Sequence, residues 1–190
     1  MDKQLCEIRF HGRGGQGSKT AGTLLAGAAL KQGKFVQSFP EYGAEREGAP
    51  VLGFTRISNQ EIRIHEGIKE PDIVVVIDPT LLDEPFITNG LKPQGILIAN
   101  TPLAPEELKQ QKGFGGKVVT VDATKIAVEE LGRPVTNSAM LGALEKAKQV
   151  VDYETLKKEL EEKFMLKFGE DLTKKNLKSF ERAYHEAREA

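Results

Sequence analysis

The chain has 190 residues, with 27 Lys and Arg against 28 Asp and Glu and a formal net charge of −1. That length suits a single α/β domain, read as a core over residues 1–150 with a charged helical C-terminal extension over 151–190. The balanced charge and the lack of a basic, aromatic-interleaved run speak against nucleic acid as a partner; no apolar run is long enough to span a bilayer, so a soluble, cytoplasmic protein with no membrane partner is expected.

Leu5 to Phe10 alternates as a strand does, and the single cysteine, Cys6, lies inside it. One cysteine cannot close an internal disulfide or by itself hold a zinc or iron–sulfur site, so Cys6 is expected to be a core thiol. Phe10-His11-Gly12-Arg13-Gly14-Gly15-Gln16-Gly17-Ser18 comes next, with Gly12, Gly14 and Gly17 at G-x-G-x-x-G spacing and Gly15 as a fourth glycine. Thr20 to Leu30 then places Ala21, Leu24, Leu25, Ala28 and Ala29 on one helical stripe, which Gly33 ends. A Gly-rich passage from strand to helix lets backbone N–H groups approach an anion at the helix N-terminus with no Cβ in the way. With Phe35 to Phe39 as a second strand, the unit has the size of a right-handed βαβ crossover, and the core is expected to begin as a parallel sheet.

Pro40 to Pro50 is broken by Gly and Pro and dense with charge, so it reads as a loop: a candidate site beside the Gly turn, or a solvated connection. Val51 to Ile57 and Ile62 to Ile64, joined by Ser58-Asn59-Gln60-Glu61, suggest an antiparallel hairpin and hence a mixed sheet. His65 lacks companions at ligand spacing and is not expected to bind metal. Three β-branched runs come later: Ile73 to Ile77 before Asp78, Ile96 to Ala99 before Asn100, and Val118 to Val121 before Asp122. They read as parallel strands buried on both faces, each leading into a helix-compatible stretch. Asp78, Asn100 and Asp122 either line the crevice at the strands' carboxyl ends or cap the helices that begin just after them. Asn137 or Ser138 is the expected N-cap of a helix over Ala139 to Val150. Tyr153, Leu156, Leu160 and Phe164, and then Leu177, Phe180 and Tyr184, mark two amphipathic helices broken at Gly169, with His185 on a solvated face. The fold class is therefore α/β: three-layer αβα, with a mostly parallel sheet, a Rossmann-like first βαβ unit, an antiparallel hairpin and C-terminal helices.

A dinucleotide site also wants an acid at the end of the second strand, and here Glu41 stands only beyond the bend at Pro40. A P-loop is excluded, because Gly17-Ser18-Lys19 reverses the required Gly-Lys-Ser/Thr order. No Ser-His-Asp, Cys-His, HExxH or paired-cysteine arrangement is present. A binding or subunit role is favoured; a free-standing NAD(P)- or flavin-dependent oxidoreductase and a purely structural interaction module remain as alternatives.

Phe10 to Gly17, Tyr42-Gly43-Ala44-Glu45-Arg46-Glu47-Gly48-Ala49-Pro50, Phe54-Thr55-Arg56-Ile57, Pro71-Asp72 with the strand to Asp78, and Val135-Thr136-Asn137-Ser138-Ala139-Met140-Leu141-Gly142 occur in that order. Together they resemble the gamma subunit of the 2-oxoacid:ferredoxin oxidoreductases, most closely the pyruvate type (pyruvate synthase), over roughly residues 4 to 148, while the last forty residues add little. The resemblance implies a non-catalytic subunit of a multi-subunit enzyme that converts pyruvate, coenzyme A and oxidised ferredoxin to acetyl-CoA, CO2 and reduced ferredoxin. It further implies alpha, beta and delta subunits as partners, with thiamine diphosphate, Mg2+ and 4Fe-4S clusters on those chains and none on this one. The residues it places at a coenzyme A-side crevice or subunit interface are Gly12, Arg13, Gly14, Gly15, Gln16, Gly17, Ser18, Glu45, Arg46 and Asn137. The family commonly carries two adjacent arginines in the charged loop; the second is Glu47 here, so only Arg46 is carried over.

Overall fold

A run of β-branched residues with no polar alternation has to be covered on both sides, and Ile73-Val74-Val75-Val76 is fully buried at the centre of the sheet. The structure, a computed structural model, describes residues 5–41 and 48–190. In chain order the elements are β1 (Leu5–Arg13), α1 (Ser18–Lys31), β2 (Phe35–Pro40), β3 (Pro50–Ser58), β4 (Ile73–Val76), β5 (Ile96–Asn100), α2 (Pro105–Lys112), β6 (Lys117–Val121), α3 (Ala123–Leu131), α4 (Asn137–Ala147), α5 (Tyr153–Glu186) and β7 (Arg188–Glu189). The strands form one sheet in the order β2-β3-β1-β4-β5-β6-β7.

Neighbours β1, β4, β5 and β6 pair in parallel, as expected of the β-branched runs. The first βαβ unit departs from expectation, because β3 is inserted between β1 and β2 and pairs antiparallel with both. β1 and β2 therefore run in the same sense without pairing. The antiparallel hairpin exists, but its arms are β2 and β3; the segment at Ile62–Ile64 is not a strand. Arg56 supplies part of the reason. It stands in register between Glu7 of β1 and Gln37 of β2, bonding Glu7 Oε1 at 2.9 Å and Gln37 Oε1 at 3.2 Å, so the buried guanidinium is satisfied only with a strand on each side.

Alternation along the central strands sends Ile73, Val75 and Ile77 to one face and Val74 and Val76 to the other. The first face is covered by α1, α3, α4 and α5, whose Leu25, Ile126, Leu144, Leu156, Leu160 and Phe180 join a single apolar cluster with the strands. Cys6 packs against that cluster, half-buried. The other face is covered by α2 and by Leu81, Leu82, Ile87 and Leu91, from a segment expected to be helix-compatible that forms only a short 3₁₀ turn, Pro79–Leu81, and further turns. Pro79, Pro85 and Gly90 interrupt any longer helix there while the leucines still reach the core.

The C-terminal helical stripe breaks at Gly169, as expected: its φ of 78° and ψ of −179° divide α5 into two limbs. α4 and α5 approach so closely that a Cβ on Gly142 would lie 2.1 Å from the Phe180 carbonyl oxygen. The expected cap of α4 is corrected by one residue. Thr136 occupies the cap position without a side-chain bond, Asn137 is the first helical residue, and Asn137 Oδ1 accepts from the Ser138 amide at 2.9 Å. Among the described residues no helix is long and apolar enough to cross a membrane.

Candidate functional site

The carboxyl ends of the parallel strands bring the Gly turn, Asp78, Asn100 and Asp122 to one edge of the sheet. β1 runs three residues further than its apolar alternation indicates, through His11, Gly12 and Arg13, so Gly12 is a strand residue rather than part of the turn. Its lack of a Cβ is required by Ser18, whose Oγ would lie 2.2 Å from that atom. Gly15 and Gly17 make the turn itself, at φ values of 90° and 86° that L side chains rarely adopt. Gly17 is also the N-cap of α1 and offers no side-chain bond, which leaves the first-turn amides of the helix open.

Beside β4 the turn is latched. Gln16 Oε1 accepts from the Arg13 amide at 2.8 Å, and Gln16 Nε2 donates to Asp78 Oδ2. The Arg13 guanidinium donates through Nε and Nη2 to Thr80 Oγ1 at 3.1 and 2.9 Å, and through Nη1 to the Gly48 carbonyl at 3.1 Å. The Gly14 amide donates to the Ala49 carbonyl at 3.0 Å, tying the end of the charged loop to the turn. Asp78 receives the Thr80 amide and hydroxyl as well as Gln16, with Arg13 Nε 3.5 Å away. Burial pushes its carboxyl up, but the Thr80 and Gln16 hydrogen bonds and the Arg13 charge more than offset this, holding it below the ordinary carboxylate range.

Asp78 is thus both a cap and an edge residue. Asn100 and Asp122 are structural: Asn100 joins the Ile77 carbonyl to the start of α3, bonding the Thr124 amide and hydroxyl, and Asp122 caps α3 through the Lys125 amide. Underneath lies His11, whose Nε2 accepts from Arg9 Nε at 2.8 Å. Burial, then the Arg9 charge, push its pKa down to about 3, so it is neutral with its proton on Nδ1.

The opposite side of the turn is open. Gly15, Gln16, Gly17, Lys19 and Thr20 form one lip of a groove of about 470 Å³. Its other walls are Leu131 to Asn137 and the first limb of α5, with Lys163, Phe164, Lys167 and Phe168, and Asn176 from the second limb. Asn137 is only 6% exposed and packs directly on Gly17. Of the residues the sequence singled out, the structure brings Gly12 to Ser18 and Asn137 together; Glu45 and Arg46 lie outside the described residues. Lys19, Arg133, Lys163 and Lys167 were not legible as site residues, because their shared groove exists only once α5 folds back over α1. The partial signal was the elbow at Gly169, next to two lysines and two phenylalanines. Among the described residues no group of three or more His, Cys, Asp or Glu side chains is placed to hold a metal ion.

A model of the family described as pyruvate ferredoxin/flavodoxin oxidoreductase matches residues 7–186. The chain is similar to the pyruvate/ketoisovalerate oxidoreductases common subunit gamma of Thermococcus kodakarensis, with 52% identity over 182 residues that cover 95% of this chain and 96% of the relative. It is similar also to pyruvate synthase subunit PorC of Thermotoga maritima, 46% identical over 98% of this chain and 96% of the relative. The crystal structure of pyruvate oxidoreductase subunit PORC from Thermotoga maritima matches with a TM-score of 0.87 at 44% identity, covering 99% of each chain. A 2-oxoglutarate:ferredoxin oxidoreductase from Magnetococcus marinus shares the fold, with a TM-score of 0.79 at 24% identity over 97% of this chain and 31% of that one. The matched span takes in α5, which the motifs ending near residue 148 had left aside.

Proposed function

The chain belongs to the pyruvate ferredoxin/flavodoxin oxidoreductase family, in which it is a gamma subunit, and from that premise we propose that it presents its Gly turn and charged loop to coenzyme A or to a neighbouring subunit. In this reading the assembled enzyme takes pyruvate as its 2-oxoacid, transfers the acetyl group to coenzyme A and passes the electrons to ferredoxin. The alpha, beta and delta chains carry thiamine diphosphate, Mg2+ and the 4Fe-4S clusters. A 4Fe-4S cluster takes four thiolates and this chain has one cysteine, so its residues do not fit that group.

The observation that carries the proposal is the latch. With Arg13, Gln16, Asp78 and Thr80 bonded to one another, the turn is a preformed backbone surface at the carboxyl edge of the sheet, and its own side chains do not have to reorganise on contact. The geometry also argues against a free-standing dinucleotide enzyme. Glu41, which would hold the ribose, comes directly after β2, and β3 separates β2 from β1, so the acid lies two strand spacings, about 10 Å, from the turn.

Arg46 is suited to either partner, since its planar fork pairs with phosphate or carboxylate at two points. In the assembled complex, Arg46→Ala is expected to raise KM for coenzyme A or to reduce co-purification of the other subunits. Unchanged KM together with unchanged assembly would sink the proposal.

A further inference from the structure

We propose that the outer edge of β2 is a pairing surface for β2 of a second copy of this chain, the two strands running antiparallel about a two-fold axis with Ser38 opposite Ser38 of the copy.

The phase of the sheet decides which backbone groups lie on that edge. In an antiparallel pair, residues that exchange both bonds with their opposite alternate with residues whose N–H and C=O point the other way. The Glu41 amide donates to the Leu52 carbonyl at 2.9 Å, in the register that sets Phe39 opposite Phe54 and Gln37 opposite Arg56, so Phe35, Gln37 and Phe39 use their backbone groups on β3. The next strands agree. The Glu7 and His11 carbonyls of β1 accept from the Asp72 and Ile77 amides on the β4 side, at 2.8 and 2.7 Å, which leaves the alternate residues of β1 for β3. Val36, Ser38 and Pro40 therefore point their backbone outward, and among the described residues those outward groups have no backbone partner.

The two edges of the sheet are treated differently. At the far edge, β7 is two residues long and both, Arg188 and Glu189, are charged, which is an ordinary defence against strand addition. β2 is six residues long and carries no charge, and Ser38 near its middle is exposed.

The β2 edge is also complementary to itself. With Ser38 opposite its copy, each Ser38 N–H donates to the other Ser38 carbonyl and each Val36 N–H meets the carbonyl of Pro40 across the axis. Proline brings no donor, and here it falls where only an acceptor is needed, so no outward N–H of either strand is left over. Centring the pair on Pro40 instead would set two residues without donors against each other. Apolar surface lies beside the same edge: Phe35 at the start of β2 is 47% exposed and Leu30 near the end of α1 is 58% exposed. A hollow of about 310 Å³ lined by Gln37, Ser38, Phe39, Ile64 and His65 has room for a side chain of the incoming strand.

The test uses the full chain alone and in the assembled complex. Sedimentation of the chain is expected to give twice the 20.9 kDa of one copy. Hydrogen exchange resolved to single amides should show Val36 and Ser38 protected, both in the complex and in the concentrated chain, and losing that protection on dilution of the chain while Gln37 keeps it. Ser38→Pro deletes the central donor and should raise the dimer dissociation constant more than about tenfold, whereas Ser38→Ala keeps the donor and should leave it within about twofold. Should Ser38→Pro fail to fold, exchange in the wild type decides alone. A chain that sediments as one copy at every concentration, with Val36 and Ser38 exchanging freely, overturns the proposal, as do Val36 and Ser38 amides that exchange freely in the complex. Protection that appears only when the other subunits are present also overturns it and gives the edge to a different chain.

Discussion

The two sides of the Gly12–Ser18 turn differ in how their polar groups are used. Towards β4, the Arg13 guanidinium, the Gln16 amide and the Asp78 carboxylate end on one another or on Thr80 and Gly48. Towards α5, the first turn of α1 has no side-chain cap, Lys19 and Arg133 make no ion pair among the described residues, and Lys167 has only the Phe168 ring beside it. A closed network makes a scaffold, and an open one of the same polarity makes a place for something else to bind. Conspicuous charged residues are therefore a poor guide to a site by themselves: Arg13 looks functional in the sequence but is occupied, whereas Lys19 looks like ordinary helix surface but makes no ion pair among the described residues.

That contrast breaks most readily at Asp78. Asp78→Ala removes the acceptor of Gln16 and Thr80 beside Arg13 and is expected to cost about 2–3 kcal/mol, read by urea denaturation. Because the folded-state pKa of Asp78 is lowered, the stability it contributes is complete above the ordinary carboxylate range and is lost as pH falls through the folded value. The difference between wild type and variant should accordingly shrink in acid. A variant whose cost does not depend on pH would show that the latch is not electrostatic.

Next in size is Glu145, in the helix that carries Asn137. It is 3% exposed, neither of its oxygens has a well-formed hydrogen bond, and burial, then Asp152, push its pKa up from 4.5 to about 8. A folded state that holds this proton more tightly than the unfolded chain loses stability as pH rises from about 4.5 to about 8. Glu145→Gln should remove that slope and gain on the order of 2 kcal/mol over wild type at the alkaline end. Parallel pH profiles of the two would refute the assignment.

Gly12→Ala, which drives a Cβ towards Ser18 Oγ, is expected to cost about 1–3 kcal/mol. The same change made in a Ser18→Ala background should cost less; equal costs would place the strain elsewhere. Smallest is the groove side, where Lys163→Ala/Lys167→Ala should change stability by no more than about 0.5 kcal/mol. A larger loss would make those lysines part of the scaffold and erase the distinction between the two sides.

Much of the architecture was legible because it depends on local pattern. Ile73 to Val76 could only be a doubly covered strand, the elbow at Gly169 comes from one glycine between two apolar stripes, and Gly15 and Gly17 mark a turn that needs positive φ. Pairing partners were not legible: alternation in Val51 to Ile57 indicates a strand but not which strands flank it, and Arg56 acquires its meaning only between Glu7 and Gln37. The candidate site divides in the same way. Gly12 to Ser18 and Asn137 could be found by motif, while the wall from α5 lies some 140 residues from the turn in sequence and carries no motif of its own.

By itself, then, the sequence determined the α/β class, the Gly turn and the family, since each depends on residues near one another in the chain. Tertiary structure decided that β3 enters between β1 and β2, that Arg13 and Gln16 are spent on the latch, and that Lys163, Lys167 and Asn137 meet the start of α1. Those outcomes turn on which buried polar groups find partners, and partners far apart in sequence become neighbours only when the core closes.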